Sequence, residues 1–370
     1  MLRQIIKNNI KNIPGWRTTR KIVVIECDDW GGIRMPSRKV YDKLISSGLK
    51  LPGWFDRYDT METYDDLELL FEVLQSVKGS NGKSAVMTAF TNVANPNFSK
   101  IKSSGFCEYH YEHFTETLNR YYPDYNVFQL WREGISAGIF VPEYHGREHV
   151  NVQLWLSRLR DGDKNLLFLF DQETLPLEIS GDIQHVEGLR AEFFFTSEDQ
   201  KPFLIDSIKE GISLFQEIFG GSPQVFVPGN GIFHPEFEPI VAECGIEFIN
   251  VNRSATYPKG VSKMKYKYFI TGQKGPGGLV YYLRNCSFEP SSYSYMGIGH
   301  VLDQIASAFR WGKPATISTH RVNFAGGLDP ANREKGLKEL KKLLNSIVGK
   351  WPEVEFMNSC DALKYMRSTL

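Results

Sequence analysis

Short β-branched runs alternate with helical stripes along most of the chain. Lys21-Ile-Val-Val-Ile-Glu-Cys27 has the unbroken apolar character of a strand buried on both faces. Residues 63–78 place Leu67, Leu70, Val73, Leu74 and Val77 at helical spacing. Thr63 and Asp66 stand at capping-box spacing before them, and Gly79 is the stop. Further strands are predicted at 85–91, at 137–141 (ending at Pro142), and at 224–227, 246–251, 314–319 and 354–356. Helices are predicted over 204–219 and from Asp329-Pro330, an N-cap followed by proline, along Leu337, Leu340, Leu344, Ile347 and Val348. The stretch from 151 to 196 is less regular. Alternation of this kind implies a parallel sheet with crossover helices. No Pro/Gly/Ser-rich linker divides it, and no G-x-G-x-x-G follows the first strand, so a dinucleotide fold loses its main support. The expectation is one α/β domain over 21–370, a distorted (β/α) barrel of seven or eight parallel strands with insertions.

Residues 1–20 stand apart as a basic amphipathic segment. Arg3, Lys7, Lys11, Arg17 and Arg20 precede the first acid, Glu26, while Leu2, Ile5, Ile6, Ile10 and Ile13 fall on one side of a helix. Two readings follow: peripheral contact with an anionic membrane surface, or the more common one, a helix that closes one end of the fold. No continuous apolar region or small-residue cleavage site follows the basic residues, so this is not a signal peptide. A cytoplasmic location is expected, with membrane association left open by the basic helix.

Composition narrows the classes. Lys plus Arg is 43 and Asp plus Glu is 43, which argues against a nucleic-acid partner. No apolar run is long enough to span a bilayer. The five cysteines are odd in number and never form a C-x-x-C pair, which suits a reducing compartment better than disulfides or a cysteine zinc site. Oligomeric state is not legible.

In βα-barrels, functional side chains cluster just beyond the C-terminal ends of strands. Those positions here hold Asp28-Asp29-Trp30-Gly31-Gly32, Glu143-Tyr-His145-Gly-Arg-Glu-His149, Pro228-Gly229-Asn230-Gly231 and Thr319-His320-Arg321. His145 and His149, with Asp29, would give two nitrogens and one oxygen, an open tetrahedral set with room for water. A divalent ion in such a set lowers the pKa of a bound water towards about 7. Zinc fits first, and other divalent transition metals remain open. The same stretch also spells H-x-x-E-H, the inverted zinc-peptidase signature, with Glu148 as base and Glu187, Glu192 or Glu217 as a third ligand. Pro142 upstream and Gly146 inside the motif suit a strand-to-loop turn better than a zinc helix.

The ordered set resembles the polysaccharide deacetylase family, the NodB-homology domain of carbohydrate esterase family four. Its T-F-D-D motif is similar to Glu26-Cys-Asp28-Asp29, its H-S/T-x-x-H to His145–His149 with Gly146 replacing the hydroxyl residue, and its L-x-x-H to Ile317–His320. The likeness covers roughly residues 20 to 360. It implies Asp29, His145 and His149 as metal ligands, Asp28 as general base and His320 as general acid, in a metal-dependent hydrolase that removes an N- or O-acetyl group from a sugar or polysaccharide precursor. Trp30, Gly229, Asn230 and Arg321 are the substrate-binding candidates. Val227 stands where the family carries a base-bracing arginine, and the D-x-x-x-W motif is absent. Arg253 is the candidate replacement for the arginine, and Asn250 or Asn252 for the residue that orients His320. A non-catalytic glycan-binding relative is the remaining alternative.

Overall fold

The computed structural model describes residues 2–179, 188–259 and 263–370. Among the described residues, nine parallel strands form the main sheet: β1 (Ile22–Trp30), β2 (Met87–Asn92), β3 (Phe140–Gly146), β4 (Val225–Phe226), β5 (Phe248–Asn250), β6 (Val280–Tyr282), β7 (Cys286–Ser287), β8 (Ala315–His320) and β9 (Glu355–Phe356). Their spatial order is β6-β5-β4-β3-β2-β1-β8-β7, with β9 on β1. All nine residues of β1 are buried, as a central parallel strand covered on both faces requires.

The two edge strands are consecutive in the chain. From Tyr282 to Cys286 the backbone can reach at most about 14 Å, so the sheet must curl until its edges nearly meet. The result is a half-barrel of the (β/α) kind, with an unpaired seam between β6 and β7.

The predicted helices occur at Tyr64–Gln75, capped by the Thr63/Asp66 box, and at Lys201–Phe219 and Pro330–Lys350, the last capped by Asp329. The third strand differs from expectation by continuing through Pro142 to Gly146. Proline is tolerated there because β3 pairs with β2 throughout, while β4 joins it only at Tyr144.

Helix α1 (Leu2–Asn12) lies along the seam. Asn285 donates to Asn12 Oδ1 (3.0 Å), Asn12 Nδ2 donates to Ser307 Oγ (3.4 Å), and Arg253 donates to the Lys11 carbonyl. The polar face is therefore the packed one. Asn8 and Asn12 are buried, whereas Ile6, Ile10 and Ile13 are 49%, 60% and 42% exposed. Among the described residues no helix is long and apolar enough to cross a membrane.

Candidate metal centre

Strand β1 delivers two consecutive carboxylates to one rim, which regular alternation of side chains would forbid. The register against β2 shifts between Cys27 and Trp30, and Asp29 takes φ 73°. That bulge turns Asp29 to the same side as Asp28. His149 is likewise left-handed at φ 50°. Strain of this kind at two neighbouring polar residues is characteristic of functional sites. Gly146 has no freedom to be otherwise: at φ 134°, a Cβ there would stand 2.1 Å from Glu192 Oε2.

Asp29, His145 and His149 place one ligand atom each within 4.8 Å of one another, and all three are buried. His145 Nδ1 lies 2.7 Å from the Val227 carbonyl, a partner that can only accept, so Nδ1 carries the proton. In the neutral ring, Nε2 then presents a lone pair to Asp29 Oδ1 at 3.3 Å. His149 Nε2 stands 3.6 Å from the same oxygen. Burial, reinforced by Arg190, holds the His149 imidazolium down to about 3, so this ring is neutral. An Nε2 lone pair facing a carboxylate, as in His145 with its proton on Nδ1, calls for a cation between them, and His149 presents Nε2 in the same way when its proton sits on Nδ1, which has no partner among the described residues. Ligands about 2.1 Å from a tetrahedral ion stand roughly 3.4 Å apart, in keeping with both separations. The donor set can hold a divalent metal.

Two further groups complete the rim. Burial alone would raise the Asp28 carboxyl, but Arg284 reverses this through paired bonds of 2.6 and 2.7 Å and holds it below the usual carboxylate range. Arg284 Nε also donates to the buried Glu26 at 2.6 Å. His320 Nδ1 meets Glu289 Oε1 at 2.7 Å, and its Nε2 stands 3.8 Å from Asp28 Oδ2. Burial alone would lower this imidazolium; Glu289 outweighs it, and the pKa stands at about 9. His320 is thus protonated at neutral pH. Asp28, Asp29, His145, His149, Asn230 and His320 all line one cavity of about 1000 Å³.

Several sequence-based expectations need correction. Trp30 is fully buried, edge-on to Trp131 and Phe140 at 6.1 and 4.9 Å, so it is a core residue and presents no face to a sugar. Among the described residues, the Phe, Tyr or Trp ring in the cavity wall is Phe55. Arg321 is 1% exposed and bound to Asp59 and Glu62 at 3.1 and 3.0 Å, a buried structural pair. Glu148 is buried and clamped by its neighbour Arg147, with Nη2 to Oε1 at 3.0 Å, which removes it as a peptidase base. His145 ends a strand and does not lie on a zinc helix. Glu192 accepts from the Arg147 amide, Glu217 lies on Lys201–Phe219, and Glu187 falls outside the described residues. Gly229 faces the His149 ring so closely that a Cβ would stand 3.1 Å from it.

The brace for the base is Arg284, and Arg253 instead holds α1. The partner of His320 is Glu289, while Asn250 donates to the Tyr282 carbonyl. Sequence reasoning missed Arg284 and Glu289. Both follow strands of only three and two residues, and their position just past a strand end was the available signal.

A family model for glycosyl hydrolase family 57 matches residues 195–296. No curated protein sequence matches. Among solved structures, the chain is similar to PuuE allantoinase at 12% identity and TM-score 0.49, covering 96% of this chain and 94% of that one. It is similar to a putative polysaccharide deacetylase from Mycobacterium smegmatis at 13% identity and TM-score 0.44, covering 96% and 92%. It is also similar to the 4-alpha-glucanotransferase from Thermococcus litoralis at 10% identity and TM-score 0.48; this match covers 93% of the present chain but spans only 40% of the glucanotransferase. At these identities the likeness is one of fold. The matched stretch 195–296 contains Asn230, Arg284 and Glu289 but none of Asp29, His145 and His149.

Proposed function

We propose that the chain is a metal-dependent hydrolase that removes an acetyl group from a carbohydrate. The observation carrying this reading is the convergence of three ligand atoms, all buried, beside a carboxylate held ionised and an imidazole held protonated. Asp29, His145 and His149 would hold the ion; zinc suits the N₂O donor set, and other divalent transition metals are compatible with it. A divalent metal there supplies Lewis acidity and brings a water's pKa within reach of a weak base. Asp28 is such a base. It accepts the proton of the attacking water, oriented by Arg284 from behind. His320 donates its Nε2 proton to the departing sugar oxygen or nitrogen as the acyl C–O or C–N bond breaks and a new C–O bond forms. The products are acetate and the free sugar. Asn230, on its left-handed turn in the cavity wall, and the close-packed Gly229 behind His149 shape the acyl end of the pocket.

The family 57 match favours a second reading, glycosidic cleavage. That chemistry needs one carboxyl group kept protonated as acid opposite a second carboxylate. Asp28 is held ionised by Arg284 and Asp29 faces two imidazoles, so neither fills the acid's role. Metal-loaded protein given a panel of N- and O-acetylated glycans should release acetate without new reducing ends. Reducing ends without acetate would support the second reading, and sugar binding without either product would indicate a non-catalytic protein.

The acid role carries a pH signature. His320 is competent below its pKa of about 9 and loses its proton as pH rises through it. Glu289→Gln removes the carboxylate that raises this value. The descending alkaline limb of kcat should therefore move to lower pH, towards the ordinary histidine range near about 6.5. A limb that stays in place would assign it to another group.

A further inference from the structure

The cavity wall holds more positive charge than the proposed reaction uses. Arg34 is paired with Asp56 at 2.7 Å, and Arg284 with Asp28 and Glu26. Lys7, Lys11 and Arg253 also line the cavity, and among the described residues none has a carboxylate partner within 4.0 Å. The three form one cluster, because Arg253 donates to the Lys11 carbonyl and Lys7 lies one helical turn from Lys11. Burial, with Lys7 and Arg253 adding to it, lowers the Lys11 ammonium, as expected for like charges gathered without a counter-ion.

A fourth cation, Arg190, enters the same cavity at 7% exposure, and among the described residues its Nη1 has no hydrogen-bond partner. An unpaired buried guanidinium donor is costly unless something accepts from it. Of the wall's carboxylates among the described residues, Asp28 is taken up by Arg284 and Asp29 faces the two imidazoles, which leaves Glu178 to set against these four. Folding α1 by its polar face, with Ile6 and Ile10 left outward, is what brings Lys7 and Lys11 to the cavity.

Building on the acetyl-hydrolase reading, we propose that the pocket takes an acylated sugar bearing a phosphate, and that Lys7, Lys11 and Arg253 hold this phosphate while Arg190 adds a donor beside His149. A phosphate monoester, close to doubly charged, answers three clustered cations better than a single carboxylate does, and a diester still presents two anionic oxygens to the planar Arg253 fork and the ammonium groups. The phosphate can belong to a soluble sugar phosphate or to a lipid carrier. The outward isoleucines of α1 make the second source accessible.

The test is calorimetric titration of the metal-loaded full chain with N-acetylglucosamine 1-phosphate and with N-acetylglucosamine, alongside flotation with phosphatidylcholine vesicles with and without phosphatidylglycerol. A soluble source predicts about tenfold tighter binding of the phosphorylated sugar. A lipid source predicts co-flotation only with phosphatidylglycerol. In either case the discrimination should disappear in Lys11→Gln/Arg253→Gln and weaken in Lys7→Gln, whose exposed site should not disturb folding, with metal content unchanged in both. No discrimination in either arm, or discrimination that survives the double variant, overturns the proposal. Acetate release without phosphate preference would sink this inference and leave the hydrolase standing. Phosphate preference without acetate release would do the reverse.

Discussion

His320→Ala is expected to lower kcat for acetate release by about 10²–10⁴-fold, the usual loss when a positioned general acid is removed. The ring is set for that role. Glu289 takes one nitrogen at 2.7 Å and keeps the ring charged, leaving Nε2 directed towards the cavity 3.8 Å from Asp28. Nothing in this arrangement makes His320 a ligand in the Asp29 cluster, so metal content should stay at the wild-type level. That combination separates loss of a proton donor from collapse of the centre. Substrates with better leaving groups should recover part of the rate, because they need less protonation. An unchanged kcat would mean that the leaving group is protonated by something else.

Arg284→Met is expected to be the most destabilising single change at the site, by about 3–5 kcal/mol, the range for breaking a buried ion pair from one side. The guanidinium serves two carboxylates at once, Asp28 through both Nη atoms and Glu26 through Nε. Without it both are buried with no cation between them, although Ser359 still donates to Glu26 at 2.7 Å. The sign of the pH dependence follows. Asp28 is held below its unfolded value, so its contribution is present above the ordinary carboxylate range and fades as pH falls through the folded pKa. The stability gap between wild type and variant should thus be widest near neutrality and narrow in acid, as read by denaturant titration at several pH values. A gap that does not change with pH would mean that the variant loses packing, not charge pairing.

Much of this site was legible in the sequence, and the limits of legibility have physical causes. A doublet of aspartates after a run of buried β-branched residues cannot be ordinary surface, and two imidazoles four apart after another strand point to the same rim. His320 was found by the same logic. Trp30 and Arg321 were misread because each follows a rim residue directly. Side chains on a strand alternate faces, so the neighbour of a cavity residue usually turns into the protein. The exception, Asp28 with Asp29, depends on a bulge and a left-handed residue that no periodicity announces. Arg284 and Glu289 escaped because strands of three and two residues carry too little pattern to be recognised. The sequence pattern marks polar and apolar sides on helix α1, but which face packs was settled by buried asparagine hydrogen bonds across the seam, contacts between residues more than 270 positions apart.

The proposed chemistry stands or falls with Asp29, His145 and His149 forming one divalent metal centre. Elemental analysis of the purified chain, reconstituted and then freed of loosely bound ions, tests it most directly when Asp29→Ala and His149→Ala are carried through the same procedure. A single divalent ion is expected per wild-type chain, with loss of that ion in each variant and both variants still folded. A wild-type chain that retains no metal, or stoichiometric metal in both variants, would contradict it.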